Sequence, residues 1–497
     1  MSNKFMNALK TDFNFKLTEN GAVAAKSTGY KVLDMFALGG AYRTRSDEDC
    51  ILLFKEAYED NPSLALKCLF YLRDVRGGQG ERRFFKVCLR WLVTHDLEAA
   101  ARNLKYVPEF GRWDDLYMFV NTPLEKDMFK FLYEQLSLDV QSKTPSLLAK
   151  WLKSENTSSA DSRKLANKTR IAFGMNHKQY RKTLSILRER IRVLEKLMSA
   201  NRWDEIEFDK LPSKAGLKYK NAFARRDILK AKYEAFAKNK TTKVNAKTLY
   251  PYECVKAAWD VRNKALDNTE RLMVNKYWDN LADYFNGCEL NALAVVDTSA
   301  SMTWTGNPKP IDVAVSLGMY CAEKAHGPFA NNYISFSANP RLVSVTGVDF
   351  VDKVKRIIST NLCQNTNLER AFSLILDTAV THGLKQEDLP ETILVISDME
   401  IDQGSSDIMR YRSDDRKSQV VTLMDRIREK YNRYGYKMPK LIYWNVQARQ
   451  NTILDVSPDA SFVSGASPSI FQSIMSGKTQ LDLMLDALNK ERYACIK

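Results

Sequence analysis

The sequence predicts a two-part, multidomain chain: an α-helical repeat, open or closed into a ring, followed by an α/β domain on an open, largely parallel sheet. Three observations predict it. From about residue 47 to 287, apolar residues recur at helical spacing with no strand pattern between them. From Leu290 onward, short apolar runs alternate with amphipathic stretches, as buried strands and covering helices do. A length of 497 residues also exceeds one ordinary core, so two or three units are expected. The change of pattern places the boundary near residue 288, giving domains over 1–288 and 289–497.

In the first half, Asp47 is expected to cap a helix over Glu48–Tyr58, and Asn61-Pro62 to open another over Ser63–Arg73. Gly77-Gly78-Gln79-Gly80 breaks the chain before the amphipathic run Arg82–Thr94. The clearest period is Tyr180–Ser199, where Leu184, Leu187, Ile191, Leu194 and Met198 fall at steps of three and four. Further helices are expected over Leu217–Lys238, Ala246–Ala265 and Glu270–Phe285. Helix pairs without strands suggest an α-solenoid, although no strict sequence repeat is visible.

In the second half, Leu290–Asp297 reads as a buried strand and residues 311–325 as a helix. Strands are then expected over Asn332–Phe336, Arg341–Val345, Thr392–Ser397, Lys440–Trp444 and Ser461–Val463. Helices are expected over Asp349–Ile358, Leu368–His382, Asp414–Tyr434, Ile470–Met475 and Gln480–Leu488. In sheets of this kind ligands sit at the carboxyl ends of the strands.

Composition narrows the class. An apolar fraction of 44% and a charged fraction of 27% are those of a globular protein and exclude a largely disordered chain. No apolar run approaches the roughly 20 residues of a membrane span, and no secretory signal opens the sequence. The eight cysteines are scattered without a C-x-x-C pair, so free thiols in a reducing, cytoplasmic compartment are expected. His95, His177, His326 and His382 stand alone and suggest no metal site.

Charge is unevenly placed: residues 1–150 carry +2, residues 151–250 carry +15 and residues 251–497 carry −2. One hundred-residue stretch thus holds the whole excess and would attract a polyanion, the aromatics interleaved with its cations fitting base stacking. The competing reading is that these side chains only solvate helix faces. Candidate RNA-contacting residues are Arg76, Lys178, Arg181, Lys182, Arg188, Arg190, Arg192, Arg225 and Arg226. Arg73, Arg76, Arg82 and Arg83 surround the glycine turn, which either cradles a phosphate or is a tight turn whose arginines pair with Asp74 and Glu81. It lacks the spacing of a nucleotide-hydrolysing P-loop.

The strongest chemical constellation follows the first α/β strand. Asp297-Thr-Ser299-Ala-Ser301 puts a carboxylate and two hydroxyls in one loop; Asn365-Thr366-Asn367 opens a helix, and Ser397-Asp398 ends a strand. All three lie at the same expected sheet edge and supply only oxygen, which suits a hard divalent cation such as Mg²⁺. Ser299, Ser301 and Thr366 would bind it directly and Asp297 and Asp398 through water, leaving a position for a partner's acidic side chain or phosphate. This set resembles the metal-ion-dependent adhesion site of von Willebrand factor A domains, with every motif position filled.

The first half resembles the TROVE module of Ro ribonucleoproteins. The resemblance is carried by Thr18-Glu-Asn-Gly-Ala22, Ser27-Thr-Gly29, Leu33-Asp-Met-Phe36, Tyr71-Leu-Arg-Asp-Val-Arg-Gly-Gly-Gln-Gly-Glu-Arg82 and Phe110-Gly-Arg-Trp-Asp-Asp-Leu116. Tyr180-Arg-Lys, Met198-Ser-Ala-Asn-Arg-Trp-Asp-Glu205, Tyr219-Lys-Asn-Ala-Phe-Ala-Arg-Arg226, Ser397-Asp-Met-Glu400 and Tyr443-Trp-Asn445 are similar to a related family of plant, fungal, bacterial and viral proteins described only as a domain of unknown function. The resemblance implies HEAT-like helical repeats joined to a von Willebrand A domain of Rossmann-like order, and binding of small structured RNAs and single-stranded RNA ends.

Three functions compete. An RNA-binding, non-enzymatic protein with a Mg²⁺ site in its second domain is expected ahead of a metal-dependent protein-interaction or assembly module with no RNA role. A nuclease is disfavoured: Asp398, Glu400 and Asp402 would share a face only if the strand ran on past Ser397, and no catalytic residues are assigned.

Overall fold

A computed structural model describes the chain except residues 1–13, 18–22, 247, 260–265, 286–290, 304–305, 325–326, 337–338, 361–366, 401–422, 451–452, 454–459 and 475–477. The fold is mostly helical, with a mixed six-stranded sheet in the C-terminal part. Two compact units divide it, and neither is continuous in sequence: Met1–Cys68 with Leu249–Lys490, and Leu69–Thr248 with Glu491–Lys497.

The first unit begins with a short antiparallel pair, β1 (Phe15–Leu17) and β2 (Val23–Ala25). Its sheet comprises β3 (Ala292–Asp297), β4 (Asn332–Phe336), β5 (Leu342–Ser344), β6 (Thr392–Ser397), β7 (Lys440–Asn445) and β8 (Ala460–Ser464). They lie in the order β5-β4-β3-β6-β7-β8, with only the β4–β5 pair antiparallel. Strand order reverses between β3 and β6, which is where doubly wound sheets open a crevice at their carboxyl ends. β3 is buried along its whole length because helices cover both faces, which is why it reads as a continuous apolar run.

Helix Pro310–Lys324 packs against β3 closely enough that a Cβ on Gly318 would lie 2.4 Å from Val296 Cγ2. Helices outside 289–497 belong to the same unit. Trp278, on Asn268–Asp279, stacks on Phe350 at 4.1 Å, and Trp259 Nε1 donates to Asp312 Oδ1 at 3.0 Å. The N-terminal helix Lys31–Leu38 is buried from Val32 to Leu38 and packs on β8. Asp34 on that helix accepts from the Ser27 hydroxyl and from Thr28 N and Oγ1. Gly40 follows where a Cβ would meet Ser464 O at 2.6 Å, so only glycine fits.

The second unit is helical. Phe70 meets Phe85 and Phe110 edge-on, while Phe208, Phe223, Tyr233 and Phe236 form a second aromatic cluster. Arg73, buried, pairs with buried Asp115 at 2.6 Å, and Arg82 reaches both Asp115 and Asp114. The C-terminal segment belongs here: Arg492 grips Asp74 with Nε and Nη2 at 2.5 and 2.9 Å, and the Tyr493 hydroxyl donates to the same carboxylate at 3.0 Å.

Several expected helices differ. The run Tyr180–Ser199 is two helices, His177–Arg190 and Leu194–Ser199. Between them Arg192 takes φ +48°, with Arg192 N on Glu189 O and Val193 N on Arg188 O, a Schellman closure that uses arginine where glycine is usual. The run Leu217–Lys238 is likewise split into Ser213–Ala224 and Asp227–Lys238, because Arg226, at the N-cap position of the second helix, has an extended backbone. Ser46, not Asp47, caps Asp47–Asp60. The expected stretches 260–265 and 414–422 lie outside the described residues. Among the described residues no helix is long and apolar enough to cross a membrane.

Candidate functional site

Four of the five mutually parallel strands of the sheet end in a polar residue, Asp297 on β3, Ser397 on β6, Asn445 on β7 and Ser464 on β8, whereas β4 ends in Phe336. Register pairs Ser397 with Asn445 and Asn445 with Ser464, so these side chains share one face of the last row, and all are buried. The Ser397 hydroxyl donates to Asp297 Oδ2 at 2.6 Å, and Ser299 N donates to Asp297 Oδ1 at 2.9 Å. Ser299 and Ser301 hydroxyls meet at 2.9 Å.

Beyond β6 the chain turns sharply. Met399 has φ +64°, its N–H bonds Ser397 Oγ at 3.0 Å, and Glu400 N reaches Asp398 Oδ1 at 3.3 Å. The strand therefore stops at Ser397, and Asp398 and Glu400 are both buried in the turn. Asp402 lies outside the described residues.

Three carboxylates and three hydroxyls thus sit at or next to the carboxyl ends of β3 and β6, at the reversal of strand order. Burial first, then the nearby Asp398 carboxylate, pushes the Asp297 carboxyl up to about 7. Arg449 Nε faces Asp398 Oδ2 at 3.6 Å. Of the expected ligands, Asp297, Ser299, Ser301 and Asp398 occupy this edge, whereas Thr366 lies outside the described residues. Among the described residues no group of three or more His, Cys, Asp or Glu is arranged to hold a metal ion; the donor set here mixes carboxylates with hydroxyls. Ser397, Asn445 and Arg449 were not among the expected site residues. A signal existed for the first two, since polar residues closing four of the five parallel strands mark a polar sheet edge.

The cations of the helical unit fall into two groups. Lys178, Arg181 and Lys182 are exposed on helix His177–Arg190 at spacings of three and four, while Tyr180, Leu184 and Leu187 of the same helix are buried. None of the three has an ion pair or hydrogen bond among the described residues, and Arg225 is exposed in the same way.

Arg188 is different: Nε donates to Ala149 O, Nη2 to Leu152 O and Nη1 to Ser154 Oγ, at 2.8–2.9 Å, so its guanidinium closes a neighbouring turn. Arg190 donates to Val140 O at 2.8 Å, Arg192 pairs with Glu207 at 3.5 Å, and Arg226 covers the Trp203 ring at 4.7 Å. Arg188, Arg192, Arg202 and Lys232 line a cavity of about 470 Å³ together with Glu189 and Glu205. There Arg202 bonds both of those glutamates at 2.5 Å, so its charge is answered locally.

At the glycine turn, Gln79 N bonds Tyr71 O, Gly80 N bonds Asp74 O and Glu81 N bonds Leu72 O. These amides are spent inside the turn and are not offered to a phosphate. Arg76 is exposed, with Nη1 on Glu109 O at 3.0 Å.

The fold and site define a class: a helical unit with an exposed cationic helix face, joined in one chain to an α/β unit with an oxygen-lined strand switch point. The chain belongs to the family described as "Domain of unknown function (DUF2828)", which is matched over residues 18–170 and 135–286. A second domain of unknown function, DUF7788, is matched over residues 291–493. An uncharacterized protein of Acanthamoeba polyphaga mimivirus is 29% identical over 514 residues, covering 94% of this chain and 85% of its own. The crystal structure of the Deinococcus radiodurans RO (RSR) protein superimposes with a TM-score of 0.42 at 14% identity, covering 90% of this chain and 93% of that one.

Proposed function

We propose that this chain is a non-enzymatic RNA-binding protein whose helical unit, built as a repeat solenoid, holds the nucleic acid. One observation carries the reading: Lys178, Arg181 and Lys182 present a single exposed helix face with no carboxylate paired to them among the described residues. Charge placed this way neutralises phosphates and gives affinity without sequence choice. The TROVE resemblance of the 71–82 and 110–116 segments selects RNA among polyanions.

The test is equilibrium binding of a fluorescent single-stranded RNA over a salt series, with wild type and the Lys178→Gln/Arg181→Gln/Lys182→Gln variant. Loss of three phosphate contacts should flatten the log–log salt slope by about 2. An unchanged slope in a folded variant removes this face from the account.

A second reading is favoured by the converging oxygens of β3 and β6. In it the α/β unit, as a von Willebrand A domain, holds Mg²⁺ on Ser299 and Ser301 with Asp297 and Asp398 behind them. The donor set fits a hard cation, since every group is a carboxylate or hydroxyl oxygen. The ion would offer an open coordination position to an acidic side chain or phosphate. The chain's own part is to keep the two serine hydroxyls together and, through Ser397, to orient Asp297. Binding of an acidic protein partner that EDTA abolishes, with no RNA co-purifying, would establish this module as the main function.

A further inference from the structure

Three cations of the helical unit converge on a single carboxylate, Asp114. Arg82 Nη2 reaches its Oδ2 at 2.9 Å, Arg112 Nε lies 3.1 Å from Oδ1, and Lys153 Nζ lies 3.6 Å from Oδ2. A fourth, Lys86, comes from helix Arg83–His95, one turn after Arg82 and so on the same side of the helix. Its side chain has no ion pair or hydrogen bond among the described residues. The neighbouring Asp115 does not make up the difference, because buried Arg73 already answers its charge at 2.6 Å. Five cations thus face two carboxylates, an excess of three positive charges.

The charges are also layered. Asp114 and Asp115 are 8% and 0% exposed, whereas Arg82, Arg112 and Lys153 are 38%, 33% and 26% exposed. The carboxylates lie underneath and the cations meet solvent. Two of the cations are held in place by their surroundings. The Arg112 guanidinium covers the Trp151 ring at 4.3 Å, while Lys153 N donates to Tyr117 Oη at 3.4 Å and Lys153 O accepts from Tyr180 Oη at 2.8 Å. Burial first, then the Arg82 guanidinium, pulls the Lys86 ammonium below the usual lysine range, so an arriving anion would relieve a cost already present.

We propose that Arg82, Lys86, Arg112 and Lys153 form a binding site for a phosphate dianion, either free or as a terminal phosphomonoester. A dianion matches an excess of three charges better than the single charge of a phosphodiester. Its free oxygens suit two guanidinium groups and two ammonium groups. The site does not use the face formed by Lys178, Arg181 and Lys182, and it does not depend on the RNA reading.

The test is calorimetric titration of the full chain with inorganic phosphate at low ionic strength and about pH 7.5, comparing wild type with Lys86→Gln, Lys86→Arg and Lys153→Gln. Wild type should bind, and Lys86→Gln and Lys153→Gln should each bind about tenfold more weakly, the effect expected for one nearby charge in a partly solvated site. Lys86→Arg should stay near wild type, as should the Lys178→Gln/Arg181→Gln/Lys182→Gln variant. No binding by wild type, or undiminished binding by Lys86→Gln and Lys153→Gln, overturns the proposal. A loss of the same size in the triple variant overturns it too. Should Lys86→Gln not fold, Lys153→Gln decides. The source of the phosphate is read by adding an RNA oligonucleotide with a 5′-phosphate or a 5′-hydroxyl. Tighter binding of the phosphorylated form, lost in Lys86→Gln, supports the site as one for a nucleic-acid end. Equal binding of the two forms, with inorganic phosphate still bound, supports it as one for a small phosphate.

Discussion

The α/β unit gathers its chemistry, whereas the helical unit divides it. Parallel strands in register bring Asp297, Ser397, Asn445 and Ser464 into one buried row, although they are spread over more than 160 residues of sequence. In the helical unit, residues a few positions apart have opposite roles: Lys182 is exposed, and Arg188 on the same helix is consumed by two carbonyls and a hydroxyl. A sheet edge is thus read by which residue ends each strand. A basic helix is read by which face each cation occupies, and a total charge of +15 does not distinguish the two.

The largest test of this contrast concerns buried charge. Asp115→Ala leaves Arg73 buried without its partner and should lower the stability of the helical unit by on the order of 3–5 kcal/mol, measured by denaturant unfolding. A loss below about 1 kcal/mol would mean the pair is not the buried anchor described here.

Next, Gly318→Ala should cost about 1–3 kcal/mol in the α/β unit, since its new Cβ must displace Val296. An unchanged melting temperature would contradict the close helix–strand packing.

A sharper test sets Arg188→Ala against the Lys178/Arg181/Lys182 triple variant. The first should lower stability with a minor effect on the RNA salt slope, and the second should do the reverse. Equal effects in both assays would erase the distinction between the two groups of cations.

The smallest expected effect is a pH dependence in the α/β unit. Without a metal ion, Asp297 is held at about 7 in the folded chain against an ordinary 3.8. A raised carboxyl pKa favours the folded state at low pH, and this contribution is lost as pH rises from about 4 through about 7. The metal-free melting temperature should therefore drift down over that window, and added Mg²⁺ should raise it more at pH 7.5 than at pH 5.5. Asp297→Asn should abolish the drift; a drift that persists in this variant belongs to another group.

Local elements were legible because periodicity is a local signal. Strands Asn332–Phe336 and Thr392–Ser397 and helix Gln480–Leu488 have the bounds their patterns predict. What escaped was non-local. Nothing in the apolar spacing of Lys31–Leu38 says that it packs on β8, which follows more than 400 residues later. The split at Arg192 escaped because its left-handed turn lacks the glycine that usually announces one. The structural role of Arg188 was half legible: it follows Leu184 by four positions and Leu187 by one, at the margin of the buried stripe. The Asp297-Ser299-Ser301 loop was legible as a motif. Its link to Ser397 depends on strand order, which only the folded sheet supplies.

The most direct measurement is ultraviolet cross-linking of the full chain to single-stranded RNA, with the modified peptides identified by mass spectrometry. The account expects cross-links on peptides from helix His177–Arg190 and its neighbours in Leu69–Thr248. Cross-links confined to Leu249–Lys490, or RNA retained with none in the helical unit, would contradict it.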